Sequence, residues 1–263
     1  QHGYRMFECD AKLSADGVPF LLHDATLERT TNAARALGPE ASRTGGDHPY
    51  SALAQLDAGA WHSRGYAGEP LPTLENLARY CIANGFFLNI EIKPTPGLEE
   101  KTGQVVGEHA ARLWQGQAVP PLFSSFRPEA LAGARTIAPH IPRALLLDTL
   151  WDGWHNVARE LGYVAIVCNH ALWDAALVAK VHGAGLRCST RIYVGDYAAD
   201  NSMAALAGAS EGVPRLGVCR MDVGNLGQSF VSGYECAAES DPVKRQHFVT
   251  LSRTAAAACR ADS

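Results

Sequence analysis

Short apolar runs alternate with amphipathic stretches from residue 5 to residue 193, a pattern that predicts repeated strand–helix units around a parallel sheet. The apolar runs place strands at 5–10, 19–23, 86–93, 121–125, 143–147, 163–169 and 186–193. Helical periodicity places helices at 74–83, 99–114, 128–137, 151–161 and 171–184. Thr73 reads as the N-cap of the first of these, with Glu75 in its first turn, and Asn84-Gly85 as its stop. The Leu145-Leu146-Leu147 run suits a strand buried on both faces.

Two stretches depart from the alternation. Residues 32–64 carry turn formers such as Gly38-Pro39 and Gly45-Gly46-Asp47 directly after His23-Asp24. They are expected to form an excursion above the C-terminal strand ends, where it either shapes substrate access or is a passive insertion. After Tyr193, alanine, glycine and serine replace the apolar runs, and 215–222 is the one further strand candidate. Residues 1–193 are therefore expected to form a barrel domain incomplete at its N-terminus. Residues 194–263 are expected to be a divergent or disordered region in place of the last barrel units.

A chain of 263 residues, 47% hydrophobic, can bury one large core. Its net charge of −4 points away from nucleic acid as a partner. With no basic stretch and no run of about 18 apolar residues, no membrane association is expected. Seven cysteines without paired spacing argue against a disulfide framework and for a reducing, cytoplasmic setting. Nothing in the chain indicates an oligomeric state.

The candidate chemistry lies at strand ends. Side chains two apart on a strand share a face, so Glu8 and Asp10 point the same way, as do Glu91 and Lys93. Like charges gathered on one face repel unless a cation lies between them, and a hard divalent ion with oxygen ligands suits Glu8, Asp10 and Glu91. Cys9 alternates to the opposite face as a small core residue. His23-Asp24 closes the neighbouring strand, and the whole constellation is that of a metal-assisted phosphoester site.

The stretch from Glu8-Cys9-Asp10 through Asp16-Gly17 and His23-Asp24 to Arg29-Thr30-Thr31 resembles the glycerophosphodiester phosphodiesterase family. Leu56-Asp57-Ala58-Gly59, Glu69-Pro70-Leu71-Pro72-Thr73-Leu74, Asn89-Ile90-Glu91-Ile92-Lys93-Pro94 and Ser124-Ser125-Phe126 match it in order. Leu145-Leu146-Leu147-Asp148 and Asn169-His170 are similar to the bacterial cytosolic subtype of the glycerol-phosphate uptake operon. The resemblance implies a TIM (β/α)8-type barrel, with the first strand–helix unit missing and the last units irregular. It implies hydrolysis of glycerophosphodiesters, such as glycerophosphocholine and glycerophosphoethanolamine, to glycerol 3-phosphate and an alcohol.

By the same resemblance Glu8, Asp10 and Glu91 hold Mg2+ or Ca2+, His23 is the general acid toward the leaving alkoxide, and Lys93 binds phosphate oxygens. Phe126 either lines the substrate pocket or fills the core. The family's second catalytic histidine, in a His-Arg-Gly motif, has no counterpart here, and His2-Gly3-Tyr4 reads as loop. The alternatives are an inactive remnant that binds metal or phosphate only, and another metal-dependent phosphodiesterase on the same barrel.

Overall fold

The computed structural model describes residues 5–191. The expectations for His2-Gly3-Tyr4, Tyr193, the strand at 215–222 and the region 194–263 lie outside the described residues.

Alternation along the first strand organises everything that follows. In β1 (Met6–Leu13) the odd residues Phe7, Cys9 and Ala11 join the main apolar core. The even residues Glu8, Asp10 and Lys12 lie on the other face and are also buried. A strand with both faces covered belongs in the interior of a layered α/β structure. Its continuation to Leu13, past the expected end at residue 10, comes from a second partner: β2 (Pro19–Leu21) pairs with residues 11–13.

That pairing is antiparallel. The link between β1 and β2 is a tight turn closed by Gly17 (φ 81°), with the Gly17 amide donating to the Ser14 carbonyl and the Val18 amide to the Ser14 hydroxyl. A parallel neighbour needs a crossover of a dozen or more residues, so this turn makes a hairpin and not a barrel unit. Leu21 reaches the main core, while Phe20 and Leu22 enter a second apolar cluster.

The excursion builds that second cluster. It holds α1 (Ala33–Ala36) and α2 (Tyr50–Leu53), and its Ala33, Leu53 and Leu56 gather with the flanking Leu27 and Leu71 around Phe20 and Leu22. It docks on the strand ends as the sequence predicts: the Ala15 amide donates to the His48 carbonyl, and Gly46 lies against Thr95 and the Leu13 carbonyl.

Regular strand–helix units follow: α3 (Leu74–Ala83), β3 (Phe87–Ile92), α4 (Glu99–Leu113), β4 (Leu122–Ser125), α5 (Pro128–Ile137), β5 (Arg143–Leu147), α6 (Trp154–Glu160), β6 (Ala165–Asn169), α7 (Ala175–Gly183) and β7 (Arg187–Arg191). The strands run in the order β2-β1-β3-β4-β5-β6-β7, parallel throughout except for β2. This is the pattern of a β/α barrel. Thr73 caps α3 as expected, its hydroxyl accepting from the Asn76 amide at 3.1 Å. The helix expected at 151–161 begins later, at Trp154, after Gly153 takes a left-handed φ of 86°.

Helices α4 and α5 pack with their backbones nearly touching. A Cβ on Gly103 would stand 1.9 Å from the Ala130 carbonyl oxygen, and one on Gly133 would stand 2.2 Å from that of Glu100. Gly103→Ala is therefore expected to destabilise the fold by about 1–3 kcal/mol through overpacking. That outweighs the roughly 1 kcal/mol a helix gains when alanine replaces glycine. Urea unfolding measures it; a variant as stable as the parent would contradict this close approach.

Candidate active site

Register brings the acidic residues together. In the parallel pair of β1 and β3, Glu8 lies beside Asn89 and Asp10 beside Glu91. The next step places Lys12 beside Lys93, whose amide donates to the Ala11 carbonyl at 2.9 Å. On β4, Ser124 aligns with Glu91 and is fully buried. One face of three neighbouring strands thus carries three carboxylates, two ammonium groups, an amide and a hydroxyl.

Glu8 and Asp10 lie within β1 and not at a strand end as expected, because pairing with β2 prolongs the strand beyond them. Glu91 is the penultimate residue of β3, and Lys93 follows that strand. One carboxylate oxygen each from Glu8, Asp10 and Glu91 lies within 4.8 Å of the others, and all three residues are buried. Oxygens that close can share a single ion at the roughly 2.3–2.6 Å typical of calcium. The donor set, three hard anionic oxygens without histidine or thiolate, also suits such an ion.

Cys9 lies on the opposite face, 1% exposed, among core residues. Burial raises its thiol well above the ordinary range, and the charges of Glu8 and Asp10 add to that effect. It is a packing residue.

The lysines oppose the acids. Lys93 Nζ lies 3.2 Å from Asp10 Oδ1 and 3.9 Å from Glu91 Oε1, and about a quarter of its side chain is exposed. Lys12 is deeper, and its Nζ donates to the Lys93 carbonyl at 3.4 Å. Burial and the charge of Lys93 push Lys12 down to about 8, while Asp10, Glu91 and Asp24 pull it the other way. Its sensitivity to Asp24 puts the segment after β2 within the same field as the carboxylates.

That segment holds His23. The Leu22 amide donates to the Asp10 carbonyl at 3.1 Å, which ties the residue before His23 to the middle of β1. His23 Nδ1 pairs with Asp24 Oδ1 at 2.8 Å, and Arg29 grips the same carboxylate through Nη2 at 2.7 Å and through Nε. Burial alone would raise the Asp24 carboxyl, but the hydrogen bonds from Arg29 and His23 outweigh it and hold the group near 2. A carboxylate fixed in this way sets the orientation of the His23 ring through Nδ1.

Phe126 follows β4 directly and is half-buried. It lies two residues after Ser124, which is in register with Glu91. The sequence reading gave no role to Lys12, Asp24 or Arg29, although Asp24 stood in the His23-Asp24 pair and Arg29 in the matching stretch. Lys12 carries the same two-residue spacing from Asp10 that joined Asp10 to Glu8, so the signal was present.

Fold and centre together define a β/α barrel with buried carboxylates and lysines facing one another across its strands. Within that class the chain belongs to the glycerophosphoryl diester phosphodiesterase family, whose model matches residues 1–190. It is 30% identical over 161 residues to a glycerophosphodiester phosphodiesterase of Caldanaerobacter subterraneus subsp. tengcongensis, covering 59% of this chain and 60% of that one. To the glycerophosphodiester phosphodiesterase of Bacillus subtilis it is 27% identical, over 54% of this chain and 49% of that one. The matched part thus spans about half to three-fifths of these relatives.

Among solved structures it is similar to an Oleispira antarctica phosphodiesterase in complex with the product sn-glycerol-3-phosphate. The TM-score is 0.68 and the identity 27%, covering 88% of this chain and 87% of that one. A glycerophosphodiester phosphodiesterase from Agrobacterium tumefaciens follows at TM-score 0.59 and 26% identity, over 78% and 79% of the two chains.

Proposed function

We propose that this protein hydrolyses glycerophosphodiesters to glycerol 3-phosphate and an alcohol, with a divalent cation held by Glu8, Asp10 and Glu91. The observation that carries this reading is the convergence of three buried carboxylate oxygens within 4.8 Å, with Lys93 among them, in a chain of this family. The product bound to the Oleispira relative supports glycerol 3-phosphate as the recognised half of the substrate.

A divalent cation at the three carboxylates would supply positive charge to the phosphoryl oxygens. The chain's own residues do the rest. Lys93, partly exposed beside Asp10, offers its ammonium to a phosphate oxygen and neutralises charge that grows in the transition state. As a water oxygen bonds to phosphorus and the bond from phosphorus to the alcohol oxygen breaks, His23, oriented by Asp24, gives its proton to that leaving oxygen, which departs poorly as an alkoxide. The water's proton passes to solvent. Phe126 lines the substrate side of the strand ends. Among the described residues no helix is long and apolar enough to cross a membrane. The buried thiols Cys9, Cys81 and Cys168 support a reducing, cytoplasmic setting.

The test is release of glycerol 3-phosphate from glycerophosphocholine by the whole chain, with Mg2+ or Ca2+ and with chelator. Cation-dependent turnover is expected. Cation binding without turnover would overturn catalysis by this chain in favour of a binding role.

A further inference from the structure

Lys12 is a buried charge for which the roles above have no use. It is 5% exposed and shares a face of β1 with Glu8 and Asp10. Its ammonium reaches across to the main chain of Lys93, so two cations occupy neighbouring register positions at the C-terminal ends of adjacent strands. Burying an ammonium is costly unless other charges compensate it. Structural packing alone would be served better by an apolar residue.

Charge balance shows what it adds. Three carboxylates, one divalent cation and Lys93 come to no net charge at the cluster itself. Lys12 adds one positive unit there, which favours an anion at the strand ends beyond what the His23–Asp24–Arg29 group contributes. We propose that Lys12 is a substrate-positioning residue that forms, with Lys93, a two-ammonium clamp for the phosphate group. The inference rests on the site reading proposed above.

The two roles of a positive charge here have opposite signs. An ammonium close to three carboxylates weakens their hold on a cation and strengthens the hold on an anion. In Lys12→Met, Ca2+ affinity measured by titration calorimetry without substrate is expected to rise several-fold. Affinity for glycerol 3-phosphate at saturating Ca2+ is expected to fall on the order of tenfold, and KM for glycerophosphocholine to rise more than kcat falls. Lys12→Arg is expected to restore anion binding to within a few-fold of the parent. A residue that only packs would weaken both affinities or neither, and either result overturns the proposal.

A readout on the unaltered protein covers a methionine variant that does not fold. The Nζ resonance of Lys12, assigned by its loss in Lys12→Arg, is expected to shift when glycerol 3-phosphate is added; an unmoved resonance overturns the clamp. If the parent chain binds neither Ca2+ nor glycerol 3-phosphate, the proposed function falls and the clamp with it. If the parent binds both and Lys12→Met binds both equally well, only the clamp falls.

Discussion

Glu91→Gln is expected to abolish divalent-cation binding and to lower kcat/KM for glycerophosphocholine by about 10²–10³-fold, with the fold intact. Loss of a few kcal/mol of electrostatic stabilisation in the transition state corresponds to that range, at about 1.4 kcal/mol per tenfold. Glu91 is 3% exposed and lies between Asp10 and Ser124 across adjacent strands, so a near-isosteric amide fits without a cavity. Removing one of three crowded negative charges relieves repulsion in the cation-free protein. Its thermal midpoint should therefore hold or rise. The parent, by contrast, should gain about 2.7 kcal/mol of stability at a cation concentration 100 times Kd, and the variant none. Thermal unfolding with and without Ca2+ separates the cases. A variant that still gains stability from Ca2+ would place the cation elsewhere.

How far the site was legible in the sequence depends on the range of the contacts involved. β5, α3 and α5 fall where an apolar run, a cap and helical periodicity placed them, since those signals are local. The facing of Glu8 with Asp10, and of Glu91 with Lys93, followed from strand alternation alone. What alternation could not supply was register. That Asp10 meets Glu91 and Lys12 meets Lys93 depends on hydrogen bonds between strands some 80 residues apart in the chain. The hairpin of β1 and β2 was missed as such because two apolar runs read alike in either direction; the short Ser14–Gly17 turn was the distinguishing sign. The second core was hidden for a related reason, since Leu53 and Leu56 of the excursion and the flanking Leu27 and Leu71 show no period and meet only around Phe20.

His23→Ala is expected to lower kcat/KM for glycerophosphocholine by about 10²–10⁴-fold, the usual worth of a positioned general acid. The size of the loss should depend on the leaving group. A glycerol phosphodiester that releases a nitrophenolate needs no proton at the departing oxygen, so the same variant should lose less than about tenfold on it. Equal losses on both substrates would show that His23 binds or packs and donates no proton. Asp24→Asn tests the support behind the ring. The amide keeps the shape but removes the charge that pairs with His23 and Arg29, so the loss should follow the same leaving-group pattern at smaller amplitude. Asp24 keeps its charge down to about pH 2, so it stays ionised at every pH where rates are measured. Any acid limb in the pH–rate profile therefore belongs to another group, and replacing Asp24 should lower the plateau of the profile without removing that limb.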